Sequence, residues 1–355
     1  MSFCRFVDSN HLTGRLELAG ALERGKTAEE EVRGDAELGD AVASASIKAK
    51  RPPSVQTAMR TPADNAQLAL LLEVAGTPKP GNVDRHRDLE DLLFDHFLAG
   101  SVGARRGLEA AERGESIGTA FERAVEGMAA QGGGNTQFGA LLLLVPLVRA
   151  AGDHAGDRTD ERRSGPRNLS RPALEAVCEN TTVADAAGFY RAFDHVDVFV
   201  GDPPSDMAPL DVRRGSDAVP ALEDRGLTLL DVMSRSVPGD DVAREWVEGY
   251  ERSFTAAERL AAADGPPTDR AAQVFLSLLA DRPDTLVATR SGEAVAEDVR
   301  DRAADLVERN ALEAAPEAVE AFGDDLVERG INPGTTADLT AGGLFVALER
   351  EAITV

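Results

Sequence analysis

The sequence predicts an all-α fold, a single helical domain with Gly/Pro-rich loops at the ends of its helices. Ala- and Leu-rich runs place apolar residues three to four positions apart, which is the spacing of an amphipathic helix. Clusters of glycine and proline separate these runs, as expected of breaks between helices. One segment, Val196–Val200, has the pattern of an extended chain, and five residues do not make a sheet.

The composition excludes several classes of protein. The chain has 355 residues, and its 43% apolar content is typical of a folded soluble protein. Its net charge of −24 argues against a nucleic-acid coat and against binding to an anionic membrane surface. The 34 arginines and four lysines indicate a halophilic protein of a salt-loaded cytoplasm, and an acidic surface for basic partners is the alternative. Cys4 and Cys178 cannot make a disulfide framework.

The sequence shows no segment for export or membrane insertion. The first 30 residues are interrupted by charges and lack the apolar stretch of about 7–15 residues that a signal peptide requires. The longest apolar run, Phe138–Val148, is 11 residues long, too short to cross a bilayer. We therefore expect a cytoplasmic protein in which this run is a buried core helix.

The first 58 residues differ from the rest of the chain. They carry a net charge of −1 and three of the four lysines. After Met59, Thr61–Pro62 followed by Asp64 has the pattern of a helix start. We interpret residues 1–58 as a mis-annotated start or a disordered extension, with translation beginning at Met59, and we expect the domain to span 59–355.

The apolar spacing sets the expected helices in order along the domain. A polar stretch broken by Gly and Pro, residues 151–172, is expected to be a surface loop. Besides the run at 138–148, the expected helices are Asn65–Val74, Leu89–Arg113, Thr119–Gln131, Asp240–Ala263, Ala271–Ala280, Ala294–Arg309 and Pro316–Arg329.

Four loops at helix ends join Gly or Pro to Asn, Thr or Asp. Loops of this composition can aim backbone N–H groups and helix N-termini at an anion. They are residues 73–85, 132–139, 283–290 and 332–338.

Lys79 is the strongest candidate for an anion-binding residue within these loops. From Met59 onward the chain has 29 arginines and this single lysine, between Pro78 and Pro80. Lysine is a compact point charge that suits a phosphate oxygen. We therefore predict a phosphate contact at Lys79, and a solvated surface lysine is the alternative.

The glycine turn Gly132–Gly134 stands before Asn135, Thr136 and an apolar helix. This order resembles a turn that cradles phosphate, although it lacks the strand of a dinucleotide fingerprint and the ending of a P-loop. A plain glycine turn followed by an N-cap is the alternative.

Carboxylates around the first loop could hold Mg²⁺ or act as a general base. Among them we favour Asp84, inside the motif, over Asp88 and Asp91. Asp338, one turn into a predicted helix, could instead complement the helix dipole.

The five histidines show no metal-ligand spacing. Asp194, His195 and Asp197 form a suggestive triplet, but no Gly-x-Ser-x-Gly elbow accompanies them. We interpret the triplet as a structural turn before the extended segment.

Together these motifs resemble the triphosphoribosyl-dephospho-CoA synthase family. Its pattern runs Glu-x-x-x-Thr-Pro-Lys-Pro-Gly-x-Val-Asp-Arg, Gly-x-Asn-Thr, Asp-Thr and a Pro-Gly loop ending in Ala-Asp-Leu. The matching residues occur in the same order from about residue 70 to 350. They are Glu73, Thr77 to Arg85, Gly133 or Gly134 with Asn135 and Thr136, Asp284 with Thr285, and Asn332 to Leu339.

The resemblance implies an all-α transferase that joins the ribose C1′ of ATP to the 2′-hydroxyl of dephospho-CoA and expels adenine, giving a prosthetic-group precursor. It implies ATP and dephospho-CoA as partners, Mg²⁺ on the triphosphate, and carboxylates beside an oxocarbenium-like centre. The implied catalytic residues are Glu73, Asp84, Asp284 and Asp338, with Asp84 and Asp338 as the Mg²⁺ candidates. The implied nucleotide and phosphate contacts are Lys79, Asn82, Arg85, Gly132, Gly133, Gly134, Asn135, Thr136 and Asn332.

One position departs from the family. The family continues Asn-Thr-His-Lys-Gly, where this chain has Gln137 and Phe138 before Gly139. A pair suited to phosphate or proton donation has become neutral and aromatic. This leaves three alternatives: the family reaction, a divergent enzyme acting on another nucleotide or cofactor intermediate, and a catalytically silent nucleotide-binding protein. The oligomeric state is not set by the sequence.

Overall fold

A computed structural model describes residues 60–156, 169–203 and 205–355, which lie in one compact unit. The expectations for residues 1–58 and for a start at Met59 lie outside the described residues. Two short 3₁₀ helices, Ser205–Leu210 and Val212–Ala218, precede the helix that begins at Val219. The α-helices are α1 (Pro62–Ala75), α2 (Phe94–Glu112), α3 (Ile117–Met128), α4 (Phe138–Gly156), α5 (Arg171–Glu179), α6 (Val183–Ala192), α7 (Val219–Arg225), α8 (Leu229–Ser236), α9 (Asp241–Val247), α10 (Glu251–Ala262), α11 (Pro267–Asp281), α12 (Thr285–Ser291), α13 (Glu293–Glu308), α14 (Ala311–Ala314), α15 (Pro316–Glu328) and α16 (Gly334–Glu349).

The all-α prediction is confirmed, since the described residues contain helices and no strand. Each expected helical run contains a helix, and α1 begins as predicted, with Thr61 and Asp64 forming a capping box. The start of α2 was predicted too early, because residues 89–93 form a turn closed by the Leu89 N–H and the Leu92 carbonyl.

The predicted helix Asp240–Ala263 is wrong as a single element. Gly249 and Tyr250 take left-handed backbone conformations, with φ of 69° and 59°, and separate α9 from α10. The buried Glu245 carboxylate then caps α10 by accepting from the N–H groups of Arg252 and Ser253, at 3.0 and 2.8 Å. The spacing of apolar residues in the sequence does not indicate this break between α9 and α10.

The predicted loop at 151–172 is partly wrong. The core helix expected at 138–148 continues as α4 to Gly156, and α5 starts at Arg171. The segment Val196–Val200 is irregular and pairs with no strand of the described chain. No described helix is long and apolar enough to cross a membrane.

The larger of two hydrophobic cores is built around α4. Leu141, Leu143 and Leu144 on this helix are fully buried. Helices α2 and α3 pack beside it through facing glycines: a Cβ on Gly103 would lie 2.0 Å from the Gly127 carbonyl oxygen. Only glycine allows the two backbones to approach this closely.

A second core is formed by α11 to α15, and α16 connects the two. Phe275, Val299 and Phe322 belong to this second core. On α16, Ala337 packs into the second core and Leu339 into the first. Asp338 therefore stands on the boundary between the two cores, where the chain can hold a polar group.

Candidate active site

The first turns of four helices meet around the start of α16. The Thr285 hydroxyl of α12 accepts from the Asp241 N–H of α9 at 3.2 Å and lies 3.2 Å from the Thr335 hydroxyl of α16. The Ala140 N–H in the first turn of α4 donates to Asp338. Helix N-termini carry partial positive charge, so their convergence makes a region that favours anions.

Asp338 is the most exposed of the four predicted catalytic carboxylates in this region, although half-buried. It packs onto the backbone of α4, where a Cβ on Gly139 would lie 2.0 Å from Asp338 Oδ2. Removal from water raises the pKa of Asp338 well above its ordinary value, and the nearby charges of Glu73 and Asp284 raise it further. This direction makes Asp338 a candidate for proton transfer.

Asp284 ties α12 to α16. Its Oδ1 caps α12 by accepting from the N–H groups of Leu286 and Val287 at 2.9 and 3.1 Å. Its Oδ2 accepts from both the N–H and the hydroxyl of Thr336 at 2.7 Å. The carboxyl is buried, and desolvation raises its pKa. With four hydrogen bonds accepted, Asp284 positions the start of α16 in this structure.

Lys79 lies inside the protein rather than at its surface. The side chain is fully buried, its Nζ forms an ion pair with Glu73, and it stands 5.9 Å from the centre of the Phe275 ring. Desolvation raises the pKa of Glu73, against the lowering effect of Lys79. The surface-lysine alternative is therefore wrong. The ion pair joins the 76–87 loop to α1, and the ring contact joins it to α11. The phosphate contact at Lys79 stays a prediction.

Asp84 organises the same loop from within. One oxygen accepts from the Lys79 N–H at 3.0 Å and the other from the His86 N–H at 2.8 Å. The side chain is almost completely buried. In this arrangement Asp84 holds the loop and presents no open carboxylate edge to a metal ion.

Asn82 and Asn332 join two of the four predicted loops, because the Asn82 amide donates to Asn332 Oδ1 at 2.8 Å. Asn82 Oδ1 in turn lies 3.4 Å from the Lys79 ammonium. Arg85 points elsewhere: its side chain is exposed and makes a loose 3.7 Å ion pair with Asp269 on α11.

The glycine turn leads directly into α4. Gly133 donates its N–H to Gln131 Oε1 at 2.5 Å, and Gly134 has a left-handed φ of 66°. Asn135 caps the helix by accepting from the Phe138 N–H at 3.1 Å. The turn thus presents Gly132 to Thr136 at the same helix end that holds Asp338.

An open groove of about 490 Å³ lies beside this turn. One wall is Gly133 to Asn135 and the other is residues 193–197. Asp194 secures the second wall by accepting from the Ser216 N–H at 3.1 Å. His195 and Asp197, which the sequence assigned to a structural turn, therefore also line a groove.

The two positions that depart from the family pattern both point into the protein. Gln137 is buried and donates to the Ser101 hydroxyl of α2 at 3.0 Å. Phe138 packs among Phe121, Phe189 and Phe193, with ring centres 4.8 to 6.3 Å away. Neither side chain reaches the groove with a charge.

Sequence reasoning missed two residues that the fold brings to this region. Asp240 is exposed, caps α9 through the Val242 N–H at 2.8 Å, and adds to the charge around Asp338. His96 on α2 lies against Gly133. In the sequence, Asp240 has only the pattern of an N-cap, and His96 stands in no motif. Neither residue therefore carries a pattern that indicates a functional role.

Mg²⁺ was expected at Asp84 and Asp338. In the described part of the chain, no three His, Cys, Asp or Glu side chains are grouped to hold a metal. Mg²⁺ commonly uses only one or two carboxylates and takes its other ligands from water and substrate phosphates. Asp240 uses one oxygen as a helix cap, whereas both oxygens of Asp84 accept hydrogen bonds.

Known proteins resemble this chain in both sequence and fold. A family model described as CitG: ATP:dephospho-CoA triphosphoribosyl transferase matches residues 59–354. The fold is similar to a crystal structure from Archaeoglobus fulgidus described as a triphosphoribosyl-dephospho-CoA synthase, with 25% sequence identity and a TM-score of 0.57. That match covers 72% of this chain and 98% of the other. No curated protein matches the chain.

Proposed function

We propose, because the chain belongs to the CitG family of ATP:dephospho-CoA triphosphoribosyl transferases, that it transfers the triphosphoribosyl group of ATP to dephospho-CoA and releases adenine. In this reaction the bond from ribose C1′ to adenine breaks, and a bond from C1′ to the 2′-oxygen of dephospho-CoA forms. The proton of the 2′-hydroxyl ends on adenine. The observation that carries the proposal is the position of the partly exposed Asp338 carboxyl where four helix N-termini meet.

We assign the proton transfer to Asp338. Departing adenine needs a proton, and an acid of raised pKa supplies it at neutral pH. Glu73 is paired with Lys79, and Asp284 accepts four hydrogen bonds. Among the predicted catalytic carboxylates, Asp338 thus combines partial exposure with a free share of its hydrogen-bonding capacity.

We assign Mg²⁺ to Asp240, together with the phosphates of the substrate. Asp240 is exposed, its charge acts on Asp338, and it uses one oxygen as a helix cap. When bound, the ion would neutralise charge on the triphosphate. This assignment replaces Asp84 and leaves Asp338 available for the proton.

The glycine turn that leads into α4 is assigned to the phosphates. Backbone N–H groups at a helix N-terminus bind anions without a charged side chain. This matters here because Lys79 is buried against Glu73 and no lysine or arginine lines the groove among the described residues. Asn135 and Gly134 border the groove on the side of the turn.

The test is adenine release by the full chain in concentrated KCl with Mg²⁺ and ATP, with and without dephospho-CoA. Product mass and free adenine are followed by chromatography and mass spectrometry. We expect adenine only when both substrates are present, with an adduct of matching mass. Asp338→Asn should abolish release, whereas Asp301→Asn on the exposed surface of α13 should leave it unchanged. Adenine release at the wild-type rate by Asp338→Asn would contradict the assignment.

A divergent reaction is the second candidate, and the buried Gln137 and Phe138 favour it. The family's His-Lys pair is replaced by a core amide and a core aromatic ring. If folded, ATP-binding protein releases no adenine with dephospho-CoA, other nucleotide or cofactor intermediates become the substrates to test. Absence of turnover with every acceptor would favour a nucleotide-binding role.

A further inference from the structure

A histidine from α2 is seated on the glycine turn. A Cβ on Gly133 would lie 2.2 Å from His96 Nδ1 and 2.6 Å from Cγ, so the ring occupies the space that a side chain would need. A Cβ on Gly132 would lie 4.0 Å from Nε2. The ring edge carrying Nε2 therefore lies along the turn that we assign to phosphate.

The hydrogen bonds of His96 set which nitrogen faces outward as a donor. Nδ1 accepts from the Leu93 N–H at 3.2 Å, at the start of α2. A nitrogen that accepts carries no proton in the neutral ring, so the proton resides on Nε2. Nε2 makes no hydrogen bond to any described residue. The neutral ring thus offers one free N–H donor beside the turn.

The same face of α2 contacts the turn at two further positions. A Cβ on Gly100 would lie 2.7 Å from the Thr136 hydroxyl oxygen, and Ser101 bonds Gln137. Residues 96 and 100 share one face of the helix because they are four positions apart, and residue 101 lies next to that face. α2 therefore braces the turn along its length, and His96 is the titratable residue on that face.

We propose that His96 Nε2–H, placed against the Gly132–Gly134 turn, binds a phosphate group of the substrate. The inference rests on the proposed function and deepens it by naming a residue for the phosphate site. It gives this chain an N–H donor at a turn whose following positions, Gln137 and Phe138, supply no charge. The phosphate is that of ATP or the diphosphate of dephospho-CoA.

Two substitutions separate a binding role from a structural one. Asparagine can place its Oδ1 near the position of Nδ1, so His96→Asn keeps the acceptor for Leu93 and removes the outer donor. Glutamine can place its amide near the position of Nε2, so His96→Gln keeps the outer donor and removes the cap. Binding of inorganic triphosphate, ATP and dephospho-CoA is measured by calorimetry for each variant, with melting temperatures alongside.

We expect His96→Asn to melt like the wild type but to bind one ligand about tenfold or more weakly, the usual order for a lost hydrogen bond to a charged group. His96→Gln should bind closer to the wild type and melt at a lower temperature. Weaker ATP and triphosphate binding places the ATP phosphates at His96, and weaker dephospho-CoA binding places the diphosphate there.

Three results would overturn the inference: unchanged affinity in His96→Asn, a loss of affinity only in His96→Gln, or wild-type protein that binds none of the three ligands. Failure of the proposed function looks different. In that case the wild type binds ATP in a manner sensitive to His96→Asn, yet releases no adenine with dephospho-CoA.

Discussion

Gly139 and Asp338 lie in direct contact, with so little space that a Cβ on residue 139 would stand 2.0 Å from Asp338 Oδ2. The contact joins the first turn of α4 to the first turns of α16. Because both helices are anchored in the larger core, neither can move away at low cost. The position of Asp338, the proposed proton donor, thus depends on residue 139 being a glycine.

Gly139→Ala should therefore disable the enzyme while leaving it folded. Alanine suits a helix better than glycine, so we expect overpacking to cost only about 1–3 kcal/mol of unfolding free energy. Displacement of Asp338 should lower kcat for adenine release about 100-fold. Gly201→Ala, where the nearest atom to the new Cβ would be 3.6 Å away, is the control. Equal activity of the two variants would show that the contact does not position Asp338.

Removal of the Lys79 charge should destabilise the fold. Lys79→Met leaves the buried Glu73 carboxylate unpaired, at an expected cost of about 3–5 kcal/mol in denaturant unfolding. Adding Glu73→Gln should recover part of that loss. If Lys79 served only to bind phosphate, the result would be different. Lys79→Met would then unfold like the wild type and would only bind nucleotide more weakly.

The raised pKa of Asp338 determines the direction in which this residue changes the stability of the folded protein with pH. The folded protein binds this proton more tightly than the unfolded chain, so the stabilising contribution is fully present below the ordinary pKa of 3.8. It is lost as the pH rises through the raised pKa. Asp338→Asn should therefore unfold at a higher temperature than the wild type at pH 7, and the difference should shrink in acid.

The contrasting variant for this pH series is Asp284→Asn. The pKa of Asp284 is also raised by burial, but its carboxylate accepts four hydrogen bonds that an amide cannot all accept. It should melt at a lower temperature than the wild type at pH 7. A lower melting temperature for Asp338→Asn at pH 7 would contradict the assigned direction.

Restoring the family's lysine should fail on structural grounds. Phe138→Lys places an ammonium among the rings of Phe121, Phe189 and Phe193. We expect a loss of several kcal/mol in stability and no gain in adenine release. Phe138→Leu is the control for lost aromatic volume. A stable, more active Phe138→Lys variant would show that residue 138 can turn outward to the substrate.

The hydroxyls of the two tyrosines should lose their protons at a higher pH than ordinary tyrosines do. Burial raises the pKa of Tyr190 to about 12, and burial raises that of Tyr250 well above its usual value. The Tyr190 hydroxyl also donates to the Leu210 carbonyl at 2.8 Å. Phenolate absorbance should therefore stay low in folded protein at about pH 11 and appear at once on unfolding. A rise in phenolate absorbance before unfolding would place at least one phenol in water.

Much of the fold and the family could be predicted from the sequence, because helix periodicity, caps and loop motifs are local. Periodicity placed α1, α4 and α15, and the motifs named Glu73 and Asp338 before any contact was known. The predicted helix 240–263 failed because its break depends on two left-handed residues, Gly249 and Tyr250, which apolar spacing does not encode.

What each site residue faces was decided only by the tertiary structure. The sequence determined that this chain keeps one lysine after Met59, and packing against Glu73 and Phe275 decided that its charge is buried. His96 stands outside every motif, yet the packing of α2 onto α4 places it at the glycine turn. Burial and pairing depend on residues far apart in the chain, so no local pattern carries them.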